Sequence, residues 1–263
     1  MLRKFNQSRS FVDNLKLGTL TAFTAGMVNV SSLVLFFSFA SNVTGHYAIL
    51  AEEISKGKWY QVAIVFSWIF LFLFGSFIAN FIVINGNKKR MFLAHAIPIL
   101  LEIACFIVVG IYGHYFYTET LLETEFLVAL LLFSMGLQNG LTASISNFAI
   151  KTTHLTGLTT DLAIHLSLLT QAKYRNNIEV VQKFKLLLSI AVSYTVGGVF
   201  AGSIIHFYEF KVFFYISIAM LFILLYDYSR VYIAQRRMVK IKRNSTFARE
   251  AKIVAKKRLP KIS

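Results

Sequence analysis

Charged side chains are scarce in this chain. They make up 15% of it, and the 12 acids face 27 Lys and Arg; a soluble domain would carry about 25% charge. Cysteine occurs once. Cys105 therefore has no intrachain disulfide partner, and the spacing of a cysteine-based metal or redox motif is absent. It lies in an apolar run and reads as a small buried core residue. The six histidines supply no His-x-x-x-His or Glu-x-x-His pair on one helix, so neither metal nor cofactor is expected. Gly-x-Ser-x-Gly, phosphate-binding glycine loops and paired aspartates are missing too, which argues against an enzyme. Nor is there the period-two alternation of barrel strands.

What is present is largely hydrocarbon. Hydrophobic residues make up 56% of the chain, gathered into runs of roughly 20 or more, the length a helix needs to cross a bilayer. The expected fold is an all-α, polytopic membrane protein. Its six spans fall at about 17–41, 60–84, 91–113, 125–149, 185–206 and 211–233. A basic N-terminus over 1–16 carries Arg3, Lys4, Arg9 and Lys16. The run after it is too long for a signal-peptide core and lacks a small-residue cleavage site, so the first helix is expected to be retained.

Placing both ends in the cytoplasm puts 24 of the 27 Lys and Arg inside. The outer loops keep Lys56, Lys58 and Lys211, beside Glu52, Glu53, Glu119, Glu123, Glu125 and Glu209. A Thr-Gly pair follows a glycine-bearing apolar helix twice. Gly26-Met-Val-Asn29 leads to Thr44-Gly45-His46, and Gly136-Leu-Gln138-Asn139 leads to Thr156-Gly157. The Gly-to-Gly separations are 19 (45 minus 26) and 21 (157 minus 136). Each half holds three spans, an odd number, so the second half enters the membrane from the opposite side. The expectation is a 3+3 inverted repeat, over 17–113 and 125–233, with a Thr-Gly helix break in each half, a pattern of many secondary transporters. Gly75-x-x-x-Ala79 in the second span is matched to Gly198-x-x-x-Gly202 in the fifth, although such small-residue patterns are common in membrane helices.

At these residues the chain resembles the YoaK family, six-span bacterial membrane proteins. That family carries Gly-x-x-Asp-Ala then Met-Thr-Gly-Asn in its first half, and Gly-x-x-Asn-Ala then Thr-Thr-x-x-Thr-Gly in its second. Gly136-Leu-Gln138-Asn139 and Thr152-Thr153-His154-Leu155-Thr156-Gly157 fit the second half. In the first, Asn29 stands where the family has aspartate, Val43 where it has methionine and His46 where it has asparagine. The resemblance covers about 17–230 and implies a bacterial cytoplasmic (inner) membrane protein. It supplies neither reaction nor substrate.

Candidate site residues follow from cost. Asn29, Gln138 and Asn139 are amides in apolar helices, where an unsatisfied amide costs several kcal/mol, so each faces protein, water or a ligand. Interhelical glue and a polar substrate site are both open. Thr44-Gly45-His46 and the stretch Thr152 to Asp161, with Thr156 and Gly157, can break a helix and cap a new one, presenting backbone N–H groups suited to anions. Asp161 conflicts with that reading, since it would cap a dipole yet repel an anion. Glu102 lies mid-span, where a carboxyl is rare, costly if ionised and a proton-coupling candidate. A protonated Glu102 bonded to Asn80 or His95 is the structural alternative. Asp227, three residues before Arg230, reads as a local ion pair.

The tail over 234–263 is basic. From Gln235 it holds 11 Lys and Arg against one acid, Glu250, which suits anionic lipids at about 1 kcal/mol per basic residue near the surface. Phe247 is its only aromatic residue, so nucleic acid is not an expected partner. The expected function is secondary transport of an unidentified small polar solute by alternating access, with proton coupling through Glu102. A non-transporting membrane scaffold or accessory protein is the alternative, and a homo-oligomer is compatible with either.

Overall fold

Ser10 and Asp13 open the first helix by bonding across its first turn. The Ser10 hydroxyl accepts from the Asp13 amide, and the Asp13 carboxylate accepts from the Ser10 amide at 3.1 Å. The same device opens a second helix further on, with Thr120 and Glu123 in the two roles. In the computed structural model, which describes residues 10–86, 91–225 and 228, these are α1 (Phe11–Phe36) and α5 (Leu121–Ser146), each 26 residues long. Both end on a left-handed residue, Phe37 and Asn147. Starts and ends alike are 110 positions apart (120 minus 10, 146 minus 36).

The remaining elements keep that parallel. After α1 come α2 (Val43–Ser55), α3 (Trp59–Asn85) and α4 (Met91–Tyr115). After α5 come α6 (Leu155–Thr170), the short α7 (Ala172–Arg175), α8 (Ile178–Tyr208) and, past a 3-10 turn at Glu209–Lys211, α9 from 212 to 225. Among the described residues five helical stretches are long and apolar enough to cross a membrane. The last of them, Ile178–Leu225, takes in α8, the turn and α9. This is the build of a multi-pass membrane protein.

Helix pairing is crossed between the two stretches. α1 packs on α8 and α3 packs on α5, while α2 lies on α3 and α6 on α8. Both long pairs are held by bare backbone. A Cβ on Gly26 would collide with the Tyr194 carbonyl oxygen, and one on Gly197 with that of Phe23. In the other pair, Gly136 abuts the Phe72 carbonyl and Gly75 the Phe133 carbonyl. Each glycine lies three residues after the aromatic residue whose carbonyl its partner touches. Aligning the contacts sets Gly75-x-x-x-Ala79 against Gly197-x-x-x-Ala201, so the match to Gly198 is one residue out. Between lipid-embedded helices, where tails are as apolar as side chains, such close approach is a main source of cohesion.

Boundaries differ from the hydropathy reading where caps decide them. α1 stops at Phe36, and 38–41 belong to a reversal instead of the span. α8 begins at Ile178 rather than 185, because the Asn177 side chain caps the Glu179 and Val180 amides. One compact unit ends at Leu224 and a second covers Leu225–Ser263. Lys88, Lys89 and Arg90, residues 1–9, Asp227 and the tail 234–263 lie outside the described residues.

Candidate functional site

Past Phe36 the chain doubles back along α1. The Ser32 hydroxyl donates to the Ser38 carbonyl at 2.7 Å, and Ser41 donates to Asn29 Oδ1 at 2.9 Å. Past Ser146 it doubles back along α5, where Asn139 Nδ2 donates to Thr153 Oγ1 at 2.7 Å. Each asparagine also donates to the carbonyl four residues behind it, Ala25 or Met135, at 2.9 Å. Asn29 and Asn139 lie seven residues before the ends of their helices, about 10 Å along the axis. The two reversals therefore run back beside α1 and α5 before α2 and α6 begin, and Asn42, Thr44, His154 and Thr156 at those starts are exposed.

The Thr-Gly pairs fall just inside these new helices. The non-helical segments are 37–42 and 147–154, and Thr44-Gly45 and Thr156-Gly157 occupy first turns. Asn42 is the N-cap of α2 and its Oδ1 accepts from the Gly45 amide at 3.2 Å. A Cβ on Gly45 would stand 2.8 Å from the Asn42 side chain, and one on Gly157 would stand 2.7 Å from the ring of the N-cap His154. Glycine is there to admit the preceding cap residue over the helix start.

The two reversals share one cavity, about 890 Å³ in volume, within the range of small-molecule sites. Asn29, Ser41, Asn42 and Thr44 line it from the first, and Asn139, Lys151, Thr153, His154 and Thr156 from the second. α3 contributes Phe72, Ser76, Phe77 and Asn80. The helix starts of α2 and α6 both meet this wall, where first-turn N–H groups lack intrahelical partners. Lys151 is the charged side chain on the wall, and no carboxylate joins it.

Beneath the cavity lies a buried polar chain that no sequence pattern announced. Gln138 Nε2 donates to Glu102 Oε1 and to Thr24 Oγ1, both at 3.0 Å, and Gln138 Oε1 accepts from Thr152 at 3.4 Å. Glu102, Gln138, Thr24 and Thr152 are all buried. The amide thus ties α4 to α1, α5 and the second reversal. Asn80 is bonded instead to Ser144, at 2.7 Å. Gln138 and Thr152 each precede a cavity residue, Asn139 and Thr153.

Two sequence candidates fall elsewhere. His46 is buried away from the cavity wall, with Nε2 3.1 Å from the Phe39 carbonyl and its ring edge-on to Trp68. Asp161 is exposed on α6 and does not line the cavity, so the conflict between its charge and an anion at the helix starts dissolves. Cys105 is buried and free, as its apolar surroundings implied. Among the described residues no group of three or more His, Cys, Asp or Glu could hold a metal ion. A second cavity of about 680 Å³, nearly all apolar, lies among α1, α8 and α9 and touches none of the candidates.

The family described as a protein of unknown function, DUF1275, matches residues 17–226, from α1 through both reversals. The chain belongs to DUF1275. YoaK is a DUF1275 member, so the resemblance carried by the two glycine–asparagine motifs holds at the level of the family. No curated protein and no solved structure matches this DUF1275 chain.

Proposed function

We propose that this protein is a secondary transporter. A small polar solute binds in the shared cavity and crosses by alternating access between the halves of a six-span, 3+3 inverted repeat. One observation carries the reading: Asn29 and Asn139, at matching places in the two halves, line the same cavity. Support comes from the equal lengths and cap types of α1 and α5, and from the crossed pairing of each with a helix of the other half. With both termini cytoplasmic in a bacterial inner membrane, the two reversals enter from opposite faces. Glu102 is then the proton-coupling group, one amide away from the cavity wall.

Uptake into proteoliposomes across a panel of small solutes tests this. Wild-type vesicles should concentrate at least one solute in a pH-dependent way, and Glu102→Gln vesicles should carry it with a flat pH profile. A mutant that matches wild type at every pH removes Glu102 from coupling. Silence across the panel, with folded protein in the bilayer, favours the scaffold instead.

A further inference from the structure

The shared cavity has two kinds of lining. One is polar: Lys151, Asn42, Asn139 and Thr153 belong to it, with no Asp or Glu, and since Asn139 Nδ2 already donates to Met135 and Thr153, the donors left for a ligand are Lys151, Asn42 and Thr153. Lys151 takes part in no ion pair among the described residues. The other lining is aromatic, from Phe39, Phe72, Phe77 and Phe148, interleaved with the polar groups along the same segments. A cation entering here would meet a fixed positive charge with no counter-charge beside it. A neutral solute would gain nothing from the charge of Lys151, which is exposed. An anion pairs with it through a charge-assisted hydrogen bond.

We infer that the cavity takes an organic anion, its carboxylate or phosphate head at Lys151 and its apolar body against the phenylalanines. This rests on the cavity being the solute site of the proposed transporter. The same chemistry belongs to a soluble carboxylate and to an anionic lipid headgroup.

Benzoate, benzyl alcohol and benzylammonium share a shape and differ in charge. The full chain in neutral detergent is unfolded thermally with each, using the reaction of the buried Cys105 with a thiol dye as readout. Benzoate should raise the midpoint saturably and the other two should not. Lys151→Gln should weaken benzoate by at least about tenfold, the scale of one charged hydrogen bond. Lys151→Arg should retain it, and Lys151→Glu should shift the preference to benzylammonium. Added phosphatidylglycerol, compared with phosphatidylcholine, separates the sources: if only phosphatidylglycerol stabilises, and does so through Lys151, the anion is a headgroup.

Equal responses to the three probes overturn the inference. So does a benzoate response untouched by Lys151→Gln, or no response to any probe or lipid. Benzoate binding without uptake sinks transport alone, and uptake of a neutral solute indifferent to Lys151 sinks the anion alone.

Discussion

Gly26 of α1 rests directly on the backbone carbonyl of Tyr194 in α8, with no room for a single added carbon. The contact fixes how near two membrane helices can come, and with it the shape of everything they carry. Neither residue is polar in its side-chain contribution here. The fit is backbone against backbone.

Gly26→Ala and Gly136→Ala should each destabilise the protein by about 1–3 kcal/mol, the scale of overpacking in a close-packed interior. Gly202→Ala should be nearly silent, because its Cβ would meet Val30 at an ordinary 3.5 Å. Thermal unfolding followed through Cys105 modification measures all three. A Gly202 variant as damaged as the other two would contradict the crossing geometry.

Gln138→Leu should cost more stability than Glu102→Gln. The leucine leaves Glu102 and Thr24 without their amide donor and Thr152 without its acceptor. A stranded buried polar group costs about 1–3 kcal/mol. Glu102→Gln keeps the shape and retains an oxygen able to accept from Gln138. Denaturation in matched detergent ranks the two; the reverse order would show that the amide is not what holds the carboxyl.

Asn29→Ala and Asn139→Ala should loosen different reversals. Loss of Asn139 frees Thr153, so hydrogen exchange should quicken across 147–154 and stay unchanged across 37–42. Loss of Asn29 should give the opposite map. Each hydrogen bond lost is worth on the order of 1 kcal/mol. If both variants loosen the same segment, the asparagines are not separate tethers.

How much of this was legible in the residues depends on the distance over which each feature is decided. The long helices were readable because hydrocarbon runs announce themselves, and the likeness of Gly26-to-Asn29 to Gly136-to-Asn139 was readable because both are local strings. The short α2 and α6 were not counted as spans, since 13 and 16 residues fall short of the roughly 20 that cross a bilayer. The Gly197-Gly198 doublet hid its own register; only the opposing Phe23 carbonyl tells the two apart. Gln138 could be seen as an unusual amide, but its partner sits 36 residues away on another helix. Lys151 has no local pattern that ties it to Asn29; only the cavity brings them together.

The crossed pairing of α1 with α8 and of α3 with α5 has a consequence for biosynthesis. When α1 leaves the ribosome its partner surface has not been made, and it must wait until residue 197 has been added before Phe23 meets its glycine. Until α8 and α5 are made, Gly26 and Gly75 lack the carbonyls of Tyr194 and Phe133 that they pack against in the full chain. Cutting the gene between α4 and α5 should yield two polypeptides that are each degraded when made alone and that recover function when made together.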